Sequence, residues 1–283
     1  MNYHHAYHAG NHADVLKHSV LASLVEYLTA KDKPFAVLDA HAGIGAYDLL
    51  GPEASKTGEW RGGIELMQKP FTDDVETVLR PYRRAVAGLN TGGGLRYYPG
   101  SPEIILQGLR VNDRVIANEL HRQDADTLGR NYSGERRLQL IVLDALQAVK
   151  QNLPFSERRG LVLIDPPYEA ADETSRVADM LKKGHKRFAT GIFMIWYPVT
   201  TEAFVENLMD LVSETHINNI LRAEMRIKHT HEATGLCGSG LLILNPPFTL
   251  DGELKVLLPA LAQRLGVQGL GRAEVSWLTS PKG

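Results

Sequence analysis

The chain of 283 residues has one cysteine, Cys237, and contains no long apolar run. A single thiol can form neither an internal disulfide framework nor a thiolate cage for a metal ion. No apolar run reaches the ~18 residues that would suggest a membrane span, and the first residues lack the basic and apolar regions of a signal peptide. We therefore expect a cytoplasmic protein that does not associate with a membrane.

A strong charge of either sign is also missing. The formal net charge of −2 argues against a broad, nonspecific grip on nucleic acid, because such a grip needs many cations facing phosphates. Local basic patches remain compatible with that value. The hydrophobic fraction of 43% and the charged fraction of 23% are those of an ordinary globular protein, and the chain has no low-complexity tract or obvious repeat.

Alternating apolar patterns predict a sheet with helices on both faces. Apolar residues recur at helical spacing from Asp14 onward, and residues 35–39 follow as a short buried strand. Further strands are predicted at residues 114–120, 138–143, 161–165 and 191–197, and a last pair at 220–228 and 241–245. Helical segments separate the first five strands, which should be parallel, whereas the short connection makes the last pair antiparallel. The expected fold is α/β, a doubly wound, mostly parallel sheet of seven strands with one antiparallel strand.

Residues 48–95 interrupt this alternation. Their apolar residues are spaced for one or two helices, which Pro81 is expected to divide, and three glycines close the segment. We interpret residues 48–95 as an inserted helical subdomain, and residues 1–47 and 96–283 as the core. The N-terminal helix and the residues before it, 1–30, would form a lid.

The sequence Leu-Val-Leu-Ile-Asp-Pro-Pro-Tyr at residues 161–168 carries the most chemical information. Four branched apolar residues indicate a buried strand, and the prolines must end it. The carboxylate of Asp165, the free carbonyl of Pro166 and the flat ring of Tyr168 would then lie at the edge of the sheet. Such a set suits a planar base held by its exocyclic amine, although a plain strand end with a Pro-Pro turn would read the same way.

Acidic residues end the other predicted parallel strands. Asp39 precedes a turn in which Gly43 lets the backbone approach a ligand closely. Glu119 follows the next strand, where a carboxylate can accept from both ribose hydroxyls, and Asp144 follows the third, where an acid can accept from an adenine amine. Each acid alone could be a solvated strand end. Because ligands bind beyond the carboxyl ends of parallel strands, these acids and Asp165 together predict one nucleoside-binding edge.

A second segment, Asn-Pro-Pro-Phe at residues 245–248, competes with Asp-Pro-Pro-Tyr for the same role. Asn245 ends the reversed strand, which places it at the opposite edge of the sheet from the glycine turn. Asp165 ends a parallel strand, on the same edge as Asp39, Glu119 and Asp144. We therefore assign the site to Asp165.

Basic residues and histidines give weaker indications. Candidates for phosphate contacts run past a strand end on the ligand edge: Arg226, Lys228, His229 and His231. Three arginines of the insertion could reach nucleic acid or form a solvated helix face: Arg80, Arg83 and Arg84. Three N-terminal histidines are four residues apart: His4, His8 and His12. Gly10 and Asn11 interrupt a helix there, and no nearby acid or cysteine completes a tetrahedral set, so we expect no metal site.

The opening of the chain is its most distinctive part. Residues 3–18 read Tyr-His-His-Ala-Tyr-His-Ala-Gly-Asn-His-Ala-Asp-Val-Leu-Lys-His, and they resemble the opening of the bacterial 23S ribosomal RNA adenine-N6 methyltransferase family. Asp-Ala-His-Ala-Gly at 39–43, Arg-Tyr-Tyr-Pro-Gly-Ser-Pro at 96–102, Asp-Pro-Pro-Tyr at 165–168 and Trp-Tyr-Pro at 196–198 are similar to the same family. The likeness spans essentially the whole chain and implies a Rossmann-like class I methyltransferase fold.

The resemblance also implies a cofactor, a partner and roles for single residues. S-adenosylmethionine would be the cofactor, 23S ribosomal RNA the partner, and the protein a monomer without a metal ion. The cofactor would be bound by His18, His41, Gly43, Ser101, Glu119, Asp144, Ala145 and Asp165. Catalysis would rest on Asp165, Pro166 and Tyr168, and the RNA would contact Tyr3, His5, Lys17 and Tyr168. The family usually has glycine where Ala145 stands and often has threonine where Ala40 stands.

The expected reaction is in-line methyl transfer from S-adenosylmethionine to the exocyclic N6 of a specific, flipped adenine in 23S ribosomal RNA. Two alternatives remain open. The first is methylation of adenine N6 or cytosine N4 in DNA, although no separate DNA-reading domain is visible in the sequence. The second is a non-enzymatic nucleic-acid-binding factor in the use of external DNA, a role that no secretion signal supports.

Overall fold

An eight-stranded sheet forms the centre of the protein in the computed structural model, which describes residues 4–230 and 235–281. The strands in chain order are β1 (Ala36–Asp39), β2 (Ala46–Asp48), β3 (Tyr97–Pro99), β4 (Arg114–Asn118), β5 (Leu138–Ile141), β6 (Gly160–Ile164), β7 (Ile192–Val199), β8 (Ile220–Arg226), β9 (Gly238–Leu244) and β10 (Arg272–Thr279). Strands β2 and β3 pair with each other in a small second sheet, and the other strands form the large one.

Helices cover both faces of the large sheet. They are α1 (His12–Thr29), α2 (Pro52–Thr57), α3 (Asp73–Leu89), α4 (Ser101–Gly108), α5 (Arg122–Asn131), α6 (Ala145–Asn152), α7 (Glu173–Arg187), α8 (Glu202–Ser213) and α9 (Leu250–Leu265). Short 3-10 helices lie at His5–Tyr7, Glu59–Gly62, Ile64–Gln68 and Val267–Gly269. Within the described ranges, no helix is long and apolar enough to cross a membrane.

The strand order of the large sheet is β10-β8-β9-β7-β6-β1-β4-β5. Parallel pairs join β5, β4, β1, β6 and β7, whereas β9 is antiparallel to its neighbours β7 and β8. The predicted fold class is confirmed, including the reversed strand β9. The eighth strand, β10, pairs antiparallel with β8 and was not predicted. Its residues are exposed or half-buried at the sheet edge, so it shows no continuous apolar run.

Strand β6 explains why the sheet is covered on both sides. All five of its residues are buried. Leu161 and Leu163 belong to the apolar cluster shared with α1, α3, α4 and α9, whereas Val162 and Ile164 belong to the cluster shared with α6, α7 and α8. A strand buried on both faces reads as a continuous apolar run, and this run leads directly to Asp165.

The inserted segment packs against the core through α3. Its buried residues Leu79 and Tyr82 join the same apolar cluster as α1. Pro81 was expected to divide two helices, and that expectation was wrong, because Pro81 lies buried inside the single helix α3. A proline inside a helix costs about 3 kcal/mol, and the packing of α3 on α1, α4 and α9 offsets that cost. The division of the chain into a core and a subdomain stays a prediction.

Helix α1 and the residues before it are held in place by a close backbone contact. Fourteen of the residues of α1 are buried, so it packs as a core helix. The backbone N–H of Ile64 donates to the carbonyl of Gly10 at 2.8 Å, just before Asn11 caps α1. A Cβ atom on Gly63 would lie 2.1 Å from the oxygen of Gly10 and 2.5 Å from the carbonyl carbon of Asn11. Only glycine allows the insertion to approach the start of α1 this closely.

Replacement of Gly63 by alanine should therefore destabilise the protein. The added methyl group would push two backbone segments apart, and we expect Gly63→Ala to lower the free energy of unfolding by about 1–3 kcal/mol. Gly62→Ala is the matched control, because a Cβ atom there meets nothing within 4 Å. Urea unfolding of both variants checks the prediction, and equal midpoints for the two would contradict it.

Candidate active site

A cavity of about 700 Å³ opens at the carboxyl edge of the parallel strands, beside β1 and β6. The strand order reverses there, because β1 leads to β4 on one side whereas its other neighbour, β6, follows β5. Doubly wound folds bind ligands at such a point. The cavity is lined by every described residue that was given a cofactor, substrate or catalytic role: His5, Lys17, His18, His41, Gly43, Ser101, Glu119, Asp144, Ala145, Asp165, Pro166 and Tyr168. Asp39, the first acid of the predicted edge, is fully buried and does not line the cavity. Tyr3 lies outside the described residues. The structure brings these side chains together, and their roles stay predictions.

Lys17 and two carboxylates form an ionic cluster on one wall of the cavity. The Lys17 Nζ donates to Asp165 Oδ2 at 2.5 Å and lies 3.0 Å from Asp14 Oδ1. Burial acts to lower the pKa of Lys17, but the charges of Asp14 and Asp165 raise it above its ordinary value, so the ammonium stays protonated. The other Asp14 oxygen accepts from His5 Nε2 and from the backbone N–H of Gly10, each at 2.9 Å.

Sequence reasoning missed Asp14. Burial acts to raise the pKa of its carboxyl, but His5 and Lys17 hold that pKa well below the ordinary value. The spacing Asp14-x-x-Lys17 places both side chains on one face of a helix, and that signal was available in the sequence. It does not reveal that the pair is buried, with Asp14 only 1% exposed.

Two histidines in the cavity wall, the buried His18 and the half-buried His41, are uncharged near neutral pH. Burial lowers the pKa of His18 to about 3 and that of His41 to about 4. His18 Nδ1 hydrogen-bonds the hydroxyl of Tyr98 at 2.9 Å, and Tyr98 in turn contacts the hydroxyl of Tyr82 at 3.2 Å. His41 Nδ1 accepts the backbone N–H of Asp165 at 3.2 Å, which leaves its proton on Nε2. His18 therefore connects α1 to Tyr98, and His41 connects the loop after β1 to the backbone of Asp165.

Glu119 binds two loops by their backbone. One carboxylate oxygen accepts the N–H of Gly43 and the other accepts the N–H of His121, each at 2.8 Å. Gly43 has a positive φ of 62°, a conformation that glycine adopts without steric cost. Burial raises the pKa of Glu119 despite these two hydrogen bonds. Each oxygen keeps a further lone pair that a ligand hydroxyl can use.

Asn118 joins three strand ends and was missed by sequence reasoning. Its Nδ2 donates to the carbonyls of Ala40 at 2.9 Å and Leu143 at 3.0 Å, and its Oδ1 accepts the N–H of Leu143 at 3.0 Å. The loops after β1, β4 and β5 are thereby fixed relative to one another. A lone asparagine at a strand end has no sequence pattern that announces this role.

Asp144 caps the start of helix α6 and pairs with Arg176, a contact that the sequence did not suggest. Its Oδ1 accepts the N–H of Leu146 at 3.0 Å, which caps the helix, and Ala145 is the first residue of α6. Its Oδ2 accepts from Arg176 Nη2 on α7 at 2.5 Å. Arg176 also lines the cavity, so a guanidinium borders the subsite where we expect the adenine of a cofactor.

Tyr168 adopts a strained backbone conformation. Its φ is 52°, a region that is costly for a bulky residue. Its hydroxyl donates to the carbonyl of Trp196 at 2.8 Å, and its ring meets the rings of Trp196 and Phe204 edge-on at 5.8 and 5.5 Å between centroids. These contacts hold the conformation and keep the ring in the cavity wall.

The competing segment lies where topology predicted. Asn245 Nδ2 donates to the carbonyls of Ala189 at 2.8 Å and Gly191 at 2.9 Å, which precede β7 at the opposite edge of the sheet. Phe248 is 89% exposed. Neither residue lines the cavity, and the assignment of the competing motif to the far edge is confirmed.

Most of the predicted basic and histidine candidates are engaged elsewhere. Arg226 pairs with Glu224 and Glu202, and His231 lies outside the described residues. His8 Nδ1 contacts Glu59 at 3.0 Å. His4 instead approaches His121 and Asp124, whose ligand atoms lie with its own within 4.8 Å of one another. The expected absence of a metal ion stays a prediction.

The strand order and the cavity at the carboxyl ends of the parallel strands define a Rossmann-like methyltransferase fold of class I. A family model described as "Ribosomal RNA large subunit methyltransferase D, RlmJ" matches residues 32–279. The chain belongs to that family and is a methyltransferase enzyme.

Relatives over nearly the full length agree with this membership. A protein of Haemophilus influenzae named ribosomal RNA large subunit methyltransferase J is 42% identical over 280 residues, which cover 99% of each chain. One of the same name from Escherichia coli K12 is 40% identical over 278 residues, covering 98% of this chain and 99% of that one. The crystal structure of protein LPL1258 from Legionella pneumophila superposes with a TM-score of 0.86 at 31% identity, covering 95% of this chain and 98% of that one.

The buried carboxyl of Asp39 should make stability depend on pH. Burial raises the pKa of Asp39 to about 7, and its Oδ2 has no hydrogen-bond partner in the described structure. Because the folded pKa exceeds the unfolded one, this group's contribution to stability is fully present below about pH 4 and is lost as pH rises through 7. Asp39→Asn cannot ionise, so its unfolding free energy relative to wild type should rise by a few kcal/mol between pH 4 and 8, at about 1.4 kcal/mol per pKa unit.

Urea unfolding across this pH range measures that difference. Asp48→Asn is the control, because the hydrogen bond from Arg96 lowers the pKa of Asp48, so its contribution is lost as pH falls instead. A pH-independent difference for Asp39→Asn would refute the prediction.

Proposed function

We propose that this methyltransferase transfers the methyl group of S-adenosylmethionine to the exocyclic N6 of an adenine in 23S ribosomal RNA. The observation that carries the proposal is the Asp165 carboxylate, which is paired with Lys17 in the same cavity as Glu119 and Asp144. The names of the two curated relatives, both ribosomal RNA large subunit methyltransferases, support the choice of RNA.

The cavity fits a nucleoside cofactor. Its volume of about 700 Å³ falls in the range of ligand sites, roughly 300–1,000 Å³. Glu119 retains lone pairs for the ribose hydroxyls, and Asp144 lies where it can accept the adenine amine. A Cβ atom at Gly43 would lie 2.4 Å from the hydroxyl of Tyr47. Glycine avoids this clash, and its lack of a side chain leaves room for the ligand beside the turn. When bound, S-adenosylmethionine supplies a methyl group made electrophilic by the sulfonium.

The remaining contacts are carried over from the family resemblance. His18, His41, Ser101, Ala145 and Asp165 complete the proposed cofactor set, and all of them line the cavity. The charge of the cofactor also suits the site, because the sulfonium is a cation and the cavity is lined by several carboxylates.

Asp165 orients the target amine. Adenine N6 is a weak nucleophile because its lone pair is delocalised into the ring. A hydrogen bond from N6 to Asp165 and a second one to the carbonyl of Pro166 would favour a tetrahedral nitrogen with its lone pair toward the methyl group. The carbon–nitrogen bond forms as the carbon–sulfur bond breaks, and the nitrogen then carries a positive charge and releases a proton.

Lys17 is the hydrogen-bond partner of the Asp165 carboxylate. The Lys17 Nζ donates to Asp165 Oδ2 at 2.5 Å, and the carboxylate keeps further lone pairs that can accept from N6. Asp165 therefore acts as a hydrogen-bond acceptor before transfer, and it needs to remove no proton until N6 is alkylated. Positioning of this kind can supply much of the rate gain of a bimolecular reaction.

The flipped base would be held by Tyr168 on one face, because aromatic side chains commonly stack on extruded bases. Trp196 is the natural neighbour of that site, since it lines the cavity and its ring lies 5.7 Å from Lys17 Nζ. His5, Lys17 and Tyr3 are the other proposed RNA contacts. His5 and Lys17 both bind the Asp14 carboxylate, so that cluster borders the target base.

Asp165→Ala should abolish methyl transfer while the fold is retained. Removal of the acceptor leaves N6 unoriented, and we expect kcat to fall at least about 100-fold, as when other aligned polar groups are removed from active sites. The measurement is transfer of labelled methyl groups to purified 23S RNA. Asn245→Ala in the competing motif is the matched control and should keep near-wild-type activity per folded molecule. Near-wild-type transfer by a folded Asp165→Ala protein would refute the catalytic role proposed for Asp165.

The substrate class is tested in the same assay. Purified 23S RNA should accept methyl groups, whereas duplex DNA should accept at most a trace. Efficient transfer to DNA would favour a DNA methyltransferase instead. Calorimetry with S-adenosylmethionine tests the non-enzymatic alternative, because a protein that only binds nucleic acid would release no heat of cofactor binding.

A further inference from the structure

Two exposed cations of the inserted segment lie beside the N-terminal residues. Lys56 is near the end of α2, and its Nζ lies 5.7 Å from the centroid of the Tyr7 ring. Arg61, in the following 3-10 helix, places its Cζ 4.8 Å from the centroid of the Trp60 ring. Among residues 4–230 and 235–281, neither cation forms an ion pair. An aromatic face orients a cation without neutralising it, so both charges remain available.

Glu59 connects these cations to the cavity. It lies between them in the chain and lines the cavity wall together with His8. Its carboxylate is already engaged by His8 Nδ1 and Asn11 Nδ2, each at 3.0 Å. The hydrogen bond to Glu59 raises the pKa of His8, which favours the imidazolium. Glu59, the acid between Lys56 and Arg61 in the chain, is thus engaged by its own partners and pairs with neither cation in the described part of the chain.

Two other arginines of the insertion, Arg80 and Arg84, differ from Lys56 and Arg61 because they form ion pairs and lie far from the cavity. Arg80 and Arg84 on α3 each lie 3.4 Å from the carboxylate of Glu26, so their charges are paired. Glu26 is twelve residues along α1 from Asp14, the helix end that borders the cavity. At a rise of 1.5 Å per residue, this is a separation of about 18 Å. Arg80 and Arg84 therefore lie far from the cavity.

We propose that Lys56 and Arg61 bind backbone phosphates of the substrate RNA at the mouth of the cavity. This inference rests on the proposed function. A base inserted as far as Asp165 leaves its own and the neighbouring phosphates outside the cavity, where contacts set the register of the strand. A guanidinium donates two parallel hydrogen bonds to a phosphate, and an ammonium adds a point charge. The cation–π contacts hold both groups at the surface before RNA arrives.

The test compares two double variants of equal charge. Lys56→Gln/Arg61→Gln and Arg80→Gln/Arg84→Gln each remove two positive charges, so any effect of net charge is the same in both. Binding of in vitro transcribed 23S RNA is measured by filter binding over a series of salt concentrations. We expect the first variant to bind about tenfold more weakly at 0.1 M salt, with a log–log salt slope smaller by about 2, because two phosphate contacts are lost. The second should stay within about twofold of wild type.

Two further measurements separate this inference from the proposed function. With saturating RNA, Lys56→Gln/Arg61→Gln should keep the wild-type kcat and the wild-type affinity for S-adenosylmethionine, because neither residue touches the reacting atoms. Lys56→Arg/Arg61→Lys, which keeps both charges, should restore RNA binding to within about threefold. If the double Gln variant unfolds at a lower temperature, Lys56→Gln alone should still show a slope smaller by about 1.

Unchanged RNA affinity and salt slope in Lys56→Gln/Arg61→Gln would overturn the inference, and so would equal weakening by the two double variants. In either case methyl transfer to RNA by the wild type would leave the proposed function standing. Failure of the wild type to methylate RNA would instead overturn the proposed function.

Discussion

The site depends on one ionic interaction, in which the buried ammonium of Lys17 lies between the carboxylates of Asp14 and Asp165. Charges taken out of water are costly unless each is paired and hydrogen-bonded, and here every member has partners. Asp14 also accepts from His5 and Gly10, so the residues before α1 are bound to the same cluster. The ion pair thereby joins the first helix of the chain to the end of β6, across 148 residues of sequence.

The same helix organises the rest of the cavity. His18, one residue after Lys17, hydrogen-bonds Tyr98 after the insertion, and Tyr98 contacts Tyr82 within it. Gly63 approaches the backbone before α1 so closely that a side chain would not fit. The insertion therefore contacts α1 in two places, through Tyr82, by way of Tyr98, near His18 and through Gly63 at the start of the helix. A segment that interrupts the strand–helix alternation thus supplies part of the cavity mouth, including Glu59.

Much of the fold and of the site could be predicted from short-range patterns. The apolar runs located the strands, because a strand buried on both faces must be apolar throughout. What failed needed information from elsewhere in the chain. Pro81 stays helical because α1, α4 and α9 pack around α3, and β10 is recognisable only through its pairing with β8. Asn118 and Arg176 entered the site through partners far away in sequence, which no local pattern shows. The local spacing of Asp14 and Lys17 does not reveal that this pair is buried.

The sequence by itself determined the order of the parallel strands and the helices between them, the acids at the strand ends and the family to which the chain is similar. These follow from local periodicity and from motifs that are contiguous in the chain. Only the tertiary structure decided which carboxylates neutralise Lys17 and which basic residues remain unpaired. Charges and hydrogen bonds act over a few ångströms of space, and residues 17 and 165 become neighbours only when α1 packs beside β6.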